Sequence, residues 1–305
     1  MKTQKKVLIT GAGGFIGKNL AEYLEDKYQI STPSHKVLDL LNEADVKTFL
    51  VKNKIEIVIH CANAGGGRDT VGRKNVIYEN LKMFFNLARN CHLFEKMISL
   101  GSGAEYDMRH YKHKMPEEYF DTFVPSDDYG FSKYICSKYI EKSNNIVNLR
   151  LFGVFGKYEN PYLKFISNAI VKNIFKQPIK INQNAYFDYL YINDLVKINE
   201  ILMNKKTKYK TYNVTTEKTI DLLTISKIIN QQSAFKSTIK IIHRGLNQEY
   251  SAKNARLIQE IGQFQFTNIK TSVVDLFNWY QENIDKIDKK KIIEDPYLKF
   301  AKVKI

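Results

Sequence analysis

Cysteine, arginine and long apolar segments are all scarce in this 305-residue chain. Its three cysteines, Cys61, Cys91 and Cys136, are far apart, odd in number and not spaced as metal ligands, so we expect reduced structural thiols and no metal site. No apolar run approaches the roughly 20 residues that span a bilayer. The first predicted strand begins at Lys6, which leaves no room for a signal peptide. These features predict a cytoplasmic protein without a membrane segment.

The net charge of +15 comes mainly from lysine, since only seven of the 47 basic residues are arginine. The lysines are scattered, and no arginine cluster or recognition-helix motif accompanies them, which argues against nucleic acid as a partner. A diffuse positive field still favours an anionic substrate such as a nucleotide diphosphate. The lysine-rich tail from Asp285 onward is interpreted as a solvated C-terminal segment.

The composition is globular, with 44% hydrophobic and 12% aromatic residues. The first half alternates short β-branched runs with amphipathic stretches, a pattern typical of βαβ units and a parallel sheet. Strands are predicted at 6–10, 28–32, 55–60, 96–100 and 146–151, and helices at 17–26, 42–52, 75–91 and 129–142. In the less regular second half, strands are predicted at 189–192, 212–214 and 239–242, and helices at 162–173, 194–205, 222–231, 254–261 and 273–282.

A glycine-rich turn lies between the first predicted strand and the first predicted helix. Gly11, Gly14 and Gly17 follow the spacing Gly-x-x-Gly-x-x-Gly, with Phe15 and Ile16 inside it. Such a turn lets the backbone approach a pyrophosphate, and the helix N-terminus offers unpaired amides and a positive dipole end. The turn therefore predicts a dinucleotide site.

The segment after the second predicted strand bears on the choice of cofactor. NAD-specific sites place a carboxylate there to hold the ribose 2′-hydroxyl. Here the segment contains Ser34, His35 and Lys36, with no acid and with groups able to bind a 2′-phosphate. This favours NADP(H) over NAD(H), although the same residues are also compatible with an ordinary polar loop.

Downstream of the turn, Tyr129 and Lys133 are four residues apart in a predicted helix and therefore share one helix face. A neighbouring ammonium stabilises a phenolate, which suits a tyrosine to proton donation near neutral pH. Redox chemistry at a carbonyl needs such an acid beside a hydride carrier. The pair therefore predicts carbonyl redox chemistry.

Over nearly its whole length the chain resembles the extended short-chain dehydrogenase/reductases that modify nucleotide sugars. The matching features are 10–17, Asp39-Leu40, His60-Cys61-Ala62, Asn80, Ser102, Tyr129 with Lys133, and 187–195. The resemblance implies a Rossmann-like doubly wound parallel sheet with a smaller mixed α/β C-terminal substrate domain. By this reading, residues 1–155 and about 186–215 bind the dinucleotide, and about 156–185 and 216–305 bind the substrate.

The resemblance also implies roles for single residues at the cofactor. Asp39, in the Asp39-Leu40 pair, would contact the adenine, and Ala62 would line the cofactor. Lys133 would hold the ribose of the nicotinamide. Asn80 would support the fold.

Ser102 matches the catalytic serine of the family, because it follows a predicted strand in the segment 101–106. A hydroxyl at the end of a strand can orient the substrate carbonyl and share a proton with Tyr129. The resemblance thus implies a catalytic set of Ser102, Tyr129 and Lys133.

Departures from the family pattern narrow the reaction. The sugar 4,6-dehydratases have Thr-Asp-Glu where this chain has Ser102-Gly103-Ala104, so both of their acid/base carboxylates are absent. The GDP-fucose synthases, which the chain also resembles, have a cysteine at the position of Ala104 and a histidine in the loop after the fifth strand. The corresponding loop here, 155–161, contains no histidine. Carbonyl reduction is the simplest chemistry that remains.

Contacts to the substrate are predicted less directly. Many relatives have Asn where Gly153 stands and Arg where Phe187 stands, so the nucleotide-site residues of the family cannot be transferred there. Glu105 is a further candidate near the catalytic serine. Arg244 and Lys253 are candidates for the diphosphate, and each is equally compatible with plain surface charge.

The resulting hypothesis is an NADPH-dependent reductase of a keto group, at C4, on a nucleotide-linked 6-deoxysugar used for surface polysaccharides. A sugar 4-epimerase with tightly held NAD is the first alternative, and a non-catalytic nucleotide sensor on the same fold is the second. The resemblance also implies a homodimer through helices 75–91 and 129–142. Apolar candidates for that seam are Phe84, Phe85, Leu87, Tyr134 and Ile135.

Overall fold

The computed structural model describes residues 4–70, 72–301 and 303 and shows an α/β protein with one large parallel sheet. The strands are β1 (Lys6–Thr10), β2 (Gln29–Ser31), β3 (Ile57–His60), β4 (Lys96–Ser102), β5 (Ile146–Leu151), β6 (Gly153–Phe155), β7 (Ile179–Asn184), β8 (Tyr186–Tyr191), β9 (Thr211–Val214), β10 (Thr219–Asp221) and β11 (Ile239–Leu246). The α-helices are α1 (Phe15–Leu24), α2 (Glu43–Asn53), α3 (Val76–Ala88), α4 (Asp128–Glu141), α5 (Phe165–Ile174), α6 (Ile192–Asn204), α7 (Leu222–Gln232), α8 (Ala255–Ile261), α9 (Ile269–Glu282), α10 (Lys289–Glu294) and α11 (Pro296–Phe300).

Six parallel strands form the large sheet in the order β2-β1-β3-β4-β5-β9. Alternate residues of a strand point to opposite faces. Accordingly Val7 and Ile9 pack with α1 and α6 on one side, whereas Leu8 packs with α2, α3 and α4 on the other. Burial on both faces explains why these strands are almost continuously apolar. The predicted doubly wound sheet is confirmed.

The order of the strands places a crevice beside β1. The chain moves from β1 to β2 on one side and then returns to β3 on the other. In such sheets, ligands bind outside the carboxyl ends of the strands at the point where the order reverses. The glycine turn after β1 and the segment after β3 both lie at this point.

The second half adds two small sheets and a helical layer. β10, β8 and β6 form a three-stranded sheet, and β11 pairs with β7. Helices α5, α7 and α9 pack against one another. The sequence analysis did not predict β6, β7 and β10, because two of them are three residues long and β7 ends in the polar run Asn182-Gln183-Asn184. The division into two domains stays a prediction.

The interpretation of the C-terminal tail as a solvated segment is wrong. Ile292 in α10 and Tyr297 in α11 are both buried. Between them, Asp295 forms an ion pair of 2.6 Å with Lys172 of α5, and both side chains are buried. The exposed lysines of the tail obscure these buried contacts in the sequence.

Only some of the side chains in the helices of the predicted dimer interface are exposed and could contact a partner. Phe84 and Leu87 of α3 are buried in the core beneath the sheet, so they are not available to a partner. Phe85 packs edge-on against Tyr139 of α4 at 5.2 Å, and Tyr78 is exposed. A homodimer through α3 and α4 stays a prediction, with these last three rings as the surface to test.

All three cysteines are free. In the parts of the chain that the structure describes, no helix is both long enough and apolar enough to cross a membrane.

Candidate active site

Two glycines of the turn after β1 are required by close packing. Gly11 has a φ of +67°, and a Cβ there would lie 2.7 Å from the amide nitrogen of Ala62. A Cβ on Gly17 would lie 2.4 Å from the carbonyl oxygen of Gly11. A side chain at either position would clash with the backbone, and at Gly11 the positive φ would also be strained, so only glycine fits. The turn is therefore held tightly between α1 and the segment after β3.

The other two glycines of the turn leave open space. A Cβ on Gly13 would meet nothing within 4 Å, and one on Gly14 would meet only the Gly11 carbonyl oxygen, at 3.3 Å. Helix α1 begins at Phe15, directly after Gly14, and its first turn carries no acidic residue. Backbone amides at a helix start with space before them fit the pyrophosphate of a dinucleotide.

The segment after β2 presents polar groups next to this turn. Ser34, His35 and Lys36 are exposed, and the carbonyl of Ser34 accepts the amide of Leu38 in a tight turn. Asp39 is also exposed, and its carboxylate accepts the amide N–H of Leu41 at 2.9 Å. The predicted 2′-phosphate and adenine ligands thus lie at the carboxyl end of β2, and their contacts to a cofactor stay a prediction.

Ala62 and Asn80 lie beside the segment that follows β3, and their roles toward a cofactor and the fold stay predictions. The side chain of Asn80 accepts the amide N–H of Ala64 at 2.7 Å and donates to its carbonyl at 2.9 Å. Ala62 borders a small internal cavity together with Lys133. Leu40 is partly buried and packs against the apolar cluster that Leu8 forms with α2, α3 and α4.

Ser102 is the last residue of β4, two residues beyond the predicted end of that strand. Its Oγ accepts the amide N–H of Ala104 at 3.1 Å. The carboxylate of Glu105 in turn accepts the amide N–H of Ser102 at 3.0 Å. This reciprocal capping box fixes the Ser102 hydroxyl at the carboxyl edge of the sheet.

The structure does not support a substrate contact for Glu105. Its side chain is completely buried, and its carboxylate lies 2.6 Å from the guanidinium of Arg150, which is buried too. Arg150 also donates to the hydroxyls of Tyr106 and Ser137. Glu105 thus faces the interior, where it holds the turn after Ser102.

Helix α4 brings Tyr129 and Lys133 to the same edge. The Asp127 side chain caps the helix by accepting the amide N–H of Gly130 at 2.8 Å. A Cβ on Gly130 would lie 2.8 Å from the carbonyl oxygen of Ala104, so glycine lets the helix start approach the turn after Ser102. The Lys133 ammonium donates to the carbonyl of Leu100 at 2.9 Å and lies 5.8 Å from the centre of the Tyr129 ring.

Gly66 packs directly on the ring of Tyr129. Its φ is +82°, and a Cβ there would lie 2.7 Å from Cε2 of that ring. We expect Gly66→Ala to displace the phenol and lower kcat roughly 10- to 100-fold, since small misplacements of a catalytic group are that costly. The measurement is steady-state turnover of the sugar substrate together with thermal unfolding.

Gly72 supplies a matched control for this substitution. Its φ of +83° imposes the same backbone strain on alanine, but a Cβ there would meet nothing within 4 Å. We expect Gly72→Ala to lose a similar amount of stability and to keep its activity. Equal activity in the two variants would contradict the packing of Gly66 on Tyr129.

The surroundings of His60 and Cys61, at the end of β3, favour the neutral forms of both side chains. The Nδ1 of His60 lies 2.9 Å from the hydroxyl of Thr10, and burial, helped by the charge of Lys133, lowers the pKa of His60 to about 3. Burial raises the pKa of Cys61 to about 12. Within the described residues, no three His, Cys, Asp or Glu side chains meet as a metal site would require.

Glu159, in the loop after β6, is a buried acid that packs against α5. It accepts a hydrogen bond from the hydroxyl of Ser167 at 2.6 Å, and burial raises its pKa to about 7. The folded state therefore retains a proton that the unfolded state releases above its ordinary pKa of about 4.3. This stabilisation is complete below that pH and is lost as the pH rises through 7.

We therefore expect Glu159→Gln to flatten the pH dependence of stability. Between pH 5 and 8, the wild type should lose about 2–3 kcal/mol of unfolding free energy relative to the variant. Urea unfolding at both pH values measures the difference. Glu118, whose side chain is 74% exposed, is the control, and Glu118→Gln should follow the wild type. A parallel loss in Glu159→Gln would show that Glu159 is not the titrating group.

The predicted diphosphate ligands, Arg244 and Lys253, are both exposed. Arg244 lies on β11, and Lys253 follows the segment that runs beside Met115. The structure places neither cation against the catalytic residues, and their contact with a diphosphate stays a prediction.

The departures from the family pattern have a physical reason. A Cβ on Gly153 would lie 3.0 Å from both the carbonyl of Asp188 and the ring of Tyr189, so a side chain there needs a shift of β8. The ring of Phe187 packs on Tyr189 at 5.4 Å and on Tyr250 at 6.4 Å. Aromatic rings thus lie around positions 153 and 187, where many members of the family have Asn and Arg.

Tyr250 is the functional candidate that the sequence analysis missed. Its hydroxyl oxygen lies 2.5 Å from the point that a Cβ on Gly103 would occupy, and its ring packs on Phe152 at 5.3 Å. No local motif marks Tyr250, because only the tertiary fold brings it to the end of β4. The run of three glycines at 65–67 is the one sequence signal for the contact between Gly66 and Tyr129.

Comparison with known proteins identifies a family and several similar sequences. A model of the NAD dependent epimerase/dehydratase family matches residues 7–215. GDP-L-colitose synthase of Yersinia pseudotuberculosis is 28% identical over 228 residues, which cover 67% of this chain and 73% of the synthase. ADP-L-glycero-D-manno-heptose-6-epimerase of Brachyspira hyodysenteriae is 25% identical over 309 residues, which cover 88% of this chain and 95% of the epimerase.

Among solved structures, the GDP-mannoheptose C4 reductase of Campylobacter jejuni, with NADP bound, has a TM-score of 0.81 to this chain. The sequences are 19% identical, and the match covers 92% of this chain and 99% of the reductase. At this level of identity, the similarity shows a shared fold.

Proposed function

This chain belongs to the NAD-dependent epimerase/dehydratase family, and from that premise we propose that it reduces a keto group at C4 of a nucleotide-linked 6-deoxysugar with NADPH. The family and its relatives identify an NAD(P)-dependent enzyme of the short-chain dehydrogenase/reductase type that modifies nucleotide sugars. The finer statements, namely the keto substrate, its C4 position and the choice of NADPH, are the proposal.

The observation that carries the proposal is that Ser102, Tyr129 and Lys133 lie at the same carboxyl edge of the sheet, without an acid or base at the two positions after Ser102. Positions 103 and 104 hold glycine and alanine, and the nearby Glu105 is committed to Arg150. Dehydration and epimerisation at neighbouring carbons each need an additional acid/base pair. Hydride addition with one proton donor does not.

In the proposed reaction each of these residues has one task. A nicotinamide cofactor supplies the hydride that the carbonyl carbon gains. Ser102 donates a hydrogen bond that orients the carbonyl oxygen, and Tyr129 donates the proton that this oxygen takes up. Lys133 places its charge beside the phenol and within reach of a ribose hydroxyl. The product is the secondary alcohol.

Two features support the finer choices. Ser34, His35 and Lys36 offer donors without a carboxylate where a 2′-phosphate would lie, which favours NADPH. The rings of Phe152, Phe187 and Tyr250 form an apolar wall near Ser102, which suits the methyl group of a 6-deoxysugar.

The test is a panel of 4-keto-6-deoxy nucleotide sugars incubated with NADPH or NADH, followed by loss of nicotinamide absorbance and identification of the product. We expect stoichiometric oxidation of NADPH with formation of the alcohol. No oxidation with any keto sugar in the panel would overturn the proposal.

The alternative is a nucleotide-sugar 4-epimerase, which is favoured by the match of a putative UDP-glucose 4-epimerase of Methanocaldococcus jannaschii, 22% identical, over 89% of this chain. The same three residues would serve it, but the hydride would return to the sugar from a retained NAD. Denaturing the purified protein distinguishes the two: one equivalent of released NAD(H) supports the epimerase, whereas freely exchanging NADPH supports the reductase. Binding of a nucleotide sugar without any turnover would instead favour the non-catalytic sensor.

A further inference from the structure

The turn after β6 is bonded to α1, the helix that begins at the expected pyrophosphate site. The hydroxyl of Tyr158 donates to the carboxylate of Glu22 at 2.7 Å, and the ammonium of Lys157 lies 2.6 Å from the same carboxylate. The ammonium of Lys18 lies 3.8 Å from the centre of the Tyr158 ring. The hydrogen bond to Glu22, together with burial, raises the pKa of Tyr158 to about 12, so the phenol keeps the proton that it donates.

Asn19 joins the same turn to the start of α1. Its side-chain amide donates to the carbonyl of Phe15 at 2.8 Å and to the carbonyl of Lys157 at 3.0 Å. Phe15 is the first residue of the helix and follows the open space at Gly13 and Gly14. One buried side chain thus connects the helix start that fits a pyrophosphate with the turn after β6.

On its other side, the turn contacts helices of the second half of the chain. The ring of Tyr158 packs edge-on against Trp279 of α9 at 5.3 Å. The side chain of Glu159 accepts the hydroxyl of Ser167 in α5 at 2.6 Å, and its backbone carbonyl accepts the hydroxyl of Tyr280 in α9 at 3.2 Å. Tyr158 therefore lies between α1 and α9.

The backbone of Tyr158 is in the left-handed region, with a φ of +70°. A residue with a bulky side chain rarely adopts this conformation, which persists only where surrounding contacts compensate for its strain. Here those contacts are the hydrogen bond to Glu22 and the ring contacts with Lys18 and Trp279. The strain favours release of the turn from α1, and these contacts oppose it.

We propose that Glu22 and Tyr158 form a latch between α1 and the second half of the chain, and that a dinucleotide bound at the start of α1 strengthens this latch. The inference rests on the dinucleotide site of the proposed function. A pyrophosphate at the first amides of α1 restrains the helix start, and through Asn19 it restrains the turn that carries Tyr158. By thermodynamic linkage, the latch raises the affinity for the dinucleotide in return. Tyr158 is thus a positioning residue that acts on the cofactor through α1.

The first test is the affinity for NADP⁺ of Tyr158→Phe, which keeps the ring and removes the hydrogen bond to Glu22. Isothermal titration calorimetry should show a Kd about 3- to 10-fold higher than that of the wild type, the value of one partly exposed hydrogen bond. Tyr23→Phe is the matched control, because Tyr23 lies on the same helix and donates to Glu200 of α6 at 2.7 Å. It should lose similar stability and keep the wild-type Kd. Equal Kd values in the two variants would overturn the proposal.

Trp279 supplies a second readout, because it is the only tryptophan of the chain and packs on Tyr158. Saturating NADP⁺ should lower the rate at which acrylamide quenches its fluorescence in the wild type. This decrease should be lost in Glu22→Ala, which cannot accept the phenol. Unchanged quenching in the wild type, or an equal decrease in Glu22→Ala, would show that the dinucleotide does not strengthen the latch.

Failure of the proposed function would give a different result, because both measurements follow binding and not turnover. If the two readouts behave as expected but no keto sugar is reduced, the proposed function fails and the latch stands. If the protein binds NAD⁺ in place of NADP⁺, the same measurements are made with NAD⁺. Binding of neither dinucleotide would overturn both.

Discussion

Tyr129→Phe is expected to lower kcat about 10²- to 10⁴-fold and to leave the affinity for NADPH within a few fold. The substitution keeps the ring that packs on Gly66 and removes only the hydroxyl. Loss of a positioned general acid has an effect of this size. Turnover of the keto sugar measures the first quantity, and fluorescence titration with NADPH measures the second.

Tyr139 offers the matched control on the same helix. It lies ten residues further along α4 and is 39% exposed, and its ring packs on Phe85, away from Ser102. Tyr139→Phe should retain wild-type kcat. If Tyr129→Phe also retained it with the true substrate, the proton donor would have to be another group, and the assignment of Tyr129 would be wrong.

The sequence predicted best those parts of the site whose structure is determined by neighbouring residues in the chain. The strand, the glycine spacing and the start of the helix lie within 12 residues, 6–17, so the turn can be recognised without the fold. Ser102 and Tyr129 are further apart in the chain. They meet because Ser102 ends a parallel strand and Gly130 lets α4 start against the turn that follows that strand.

What the sequence did not predict depends on distant contacts. Tyr250 reaches Gly103 only because its segment is hydrogen-bonded to β8, and this pairing leaves no local pattern in the sequence. Ile292 and Tyr297 belong to short apolar groups between charged residues, and their packing against α5 is not visible in the sequence. In each case the missing information was which distant residue supplies the partner.

Glu105, three residues after Ser102, is another residue whose distant partner could not be predicted from the sequence. A carboxylate three residues after a catalytic serine is a reasonable substrate ligand in a sequence. The structure pairs it with Arg150, 45 residues away, and leaves both side chains with almost no exposure. The family resemblance located the serine correctly as the end of β4, but it could not show that the neighbouring acid points inward.

The burial of this pair predicts a large effect on stability. Glu105→Gln keeps an oxygen that can accept the amide of Ser102 but removes the charge that neutralises Arg150. Leaving a buried charge uncompensated costs about 3–5 kcal/mol, which should lower Tm by roughly 6–10 °C. Because the capping box survives, kcat of the folded fraction should stay within a few fold. Differential scanning calorimetry and turnover below Tm measure the two effects.

Two further variants decide whether the charge is the cause. Adding Arg150→Met to Glu105→Gln removes the buried charge, keeps an acceptor for the Ser102 amide and should recover part of the lost stability. The exposed pair Arg89–Glu43 supplies the matched control, with side chains 58% and 47% exposed, and Glu43→Gln should cost no more than about 1 kcal/mol. If Glu105→Gln were as mild as Glu43→Gln, the buried pair would contribute no more than a surface one.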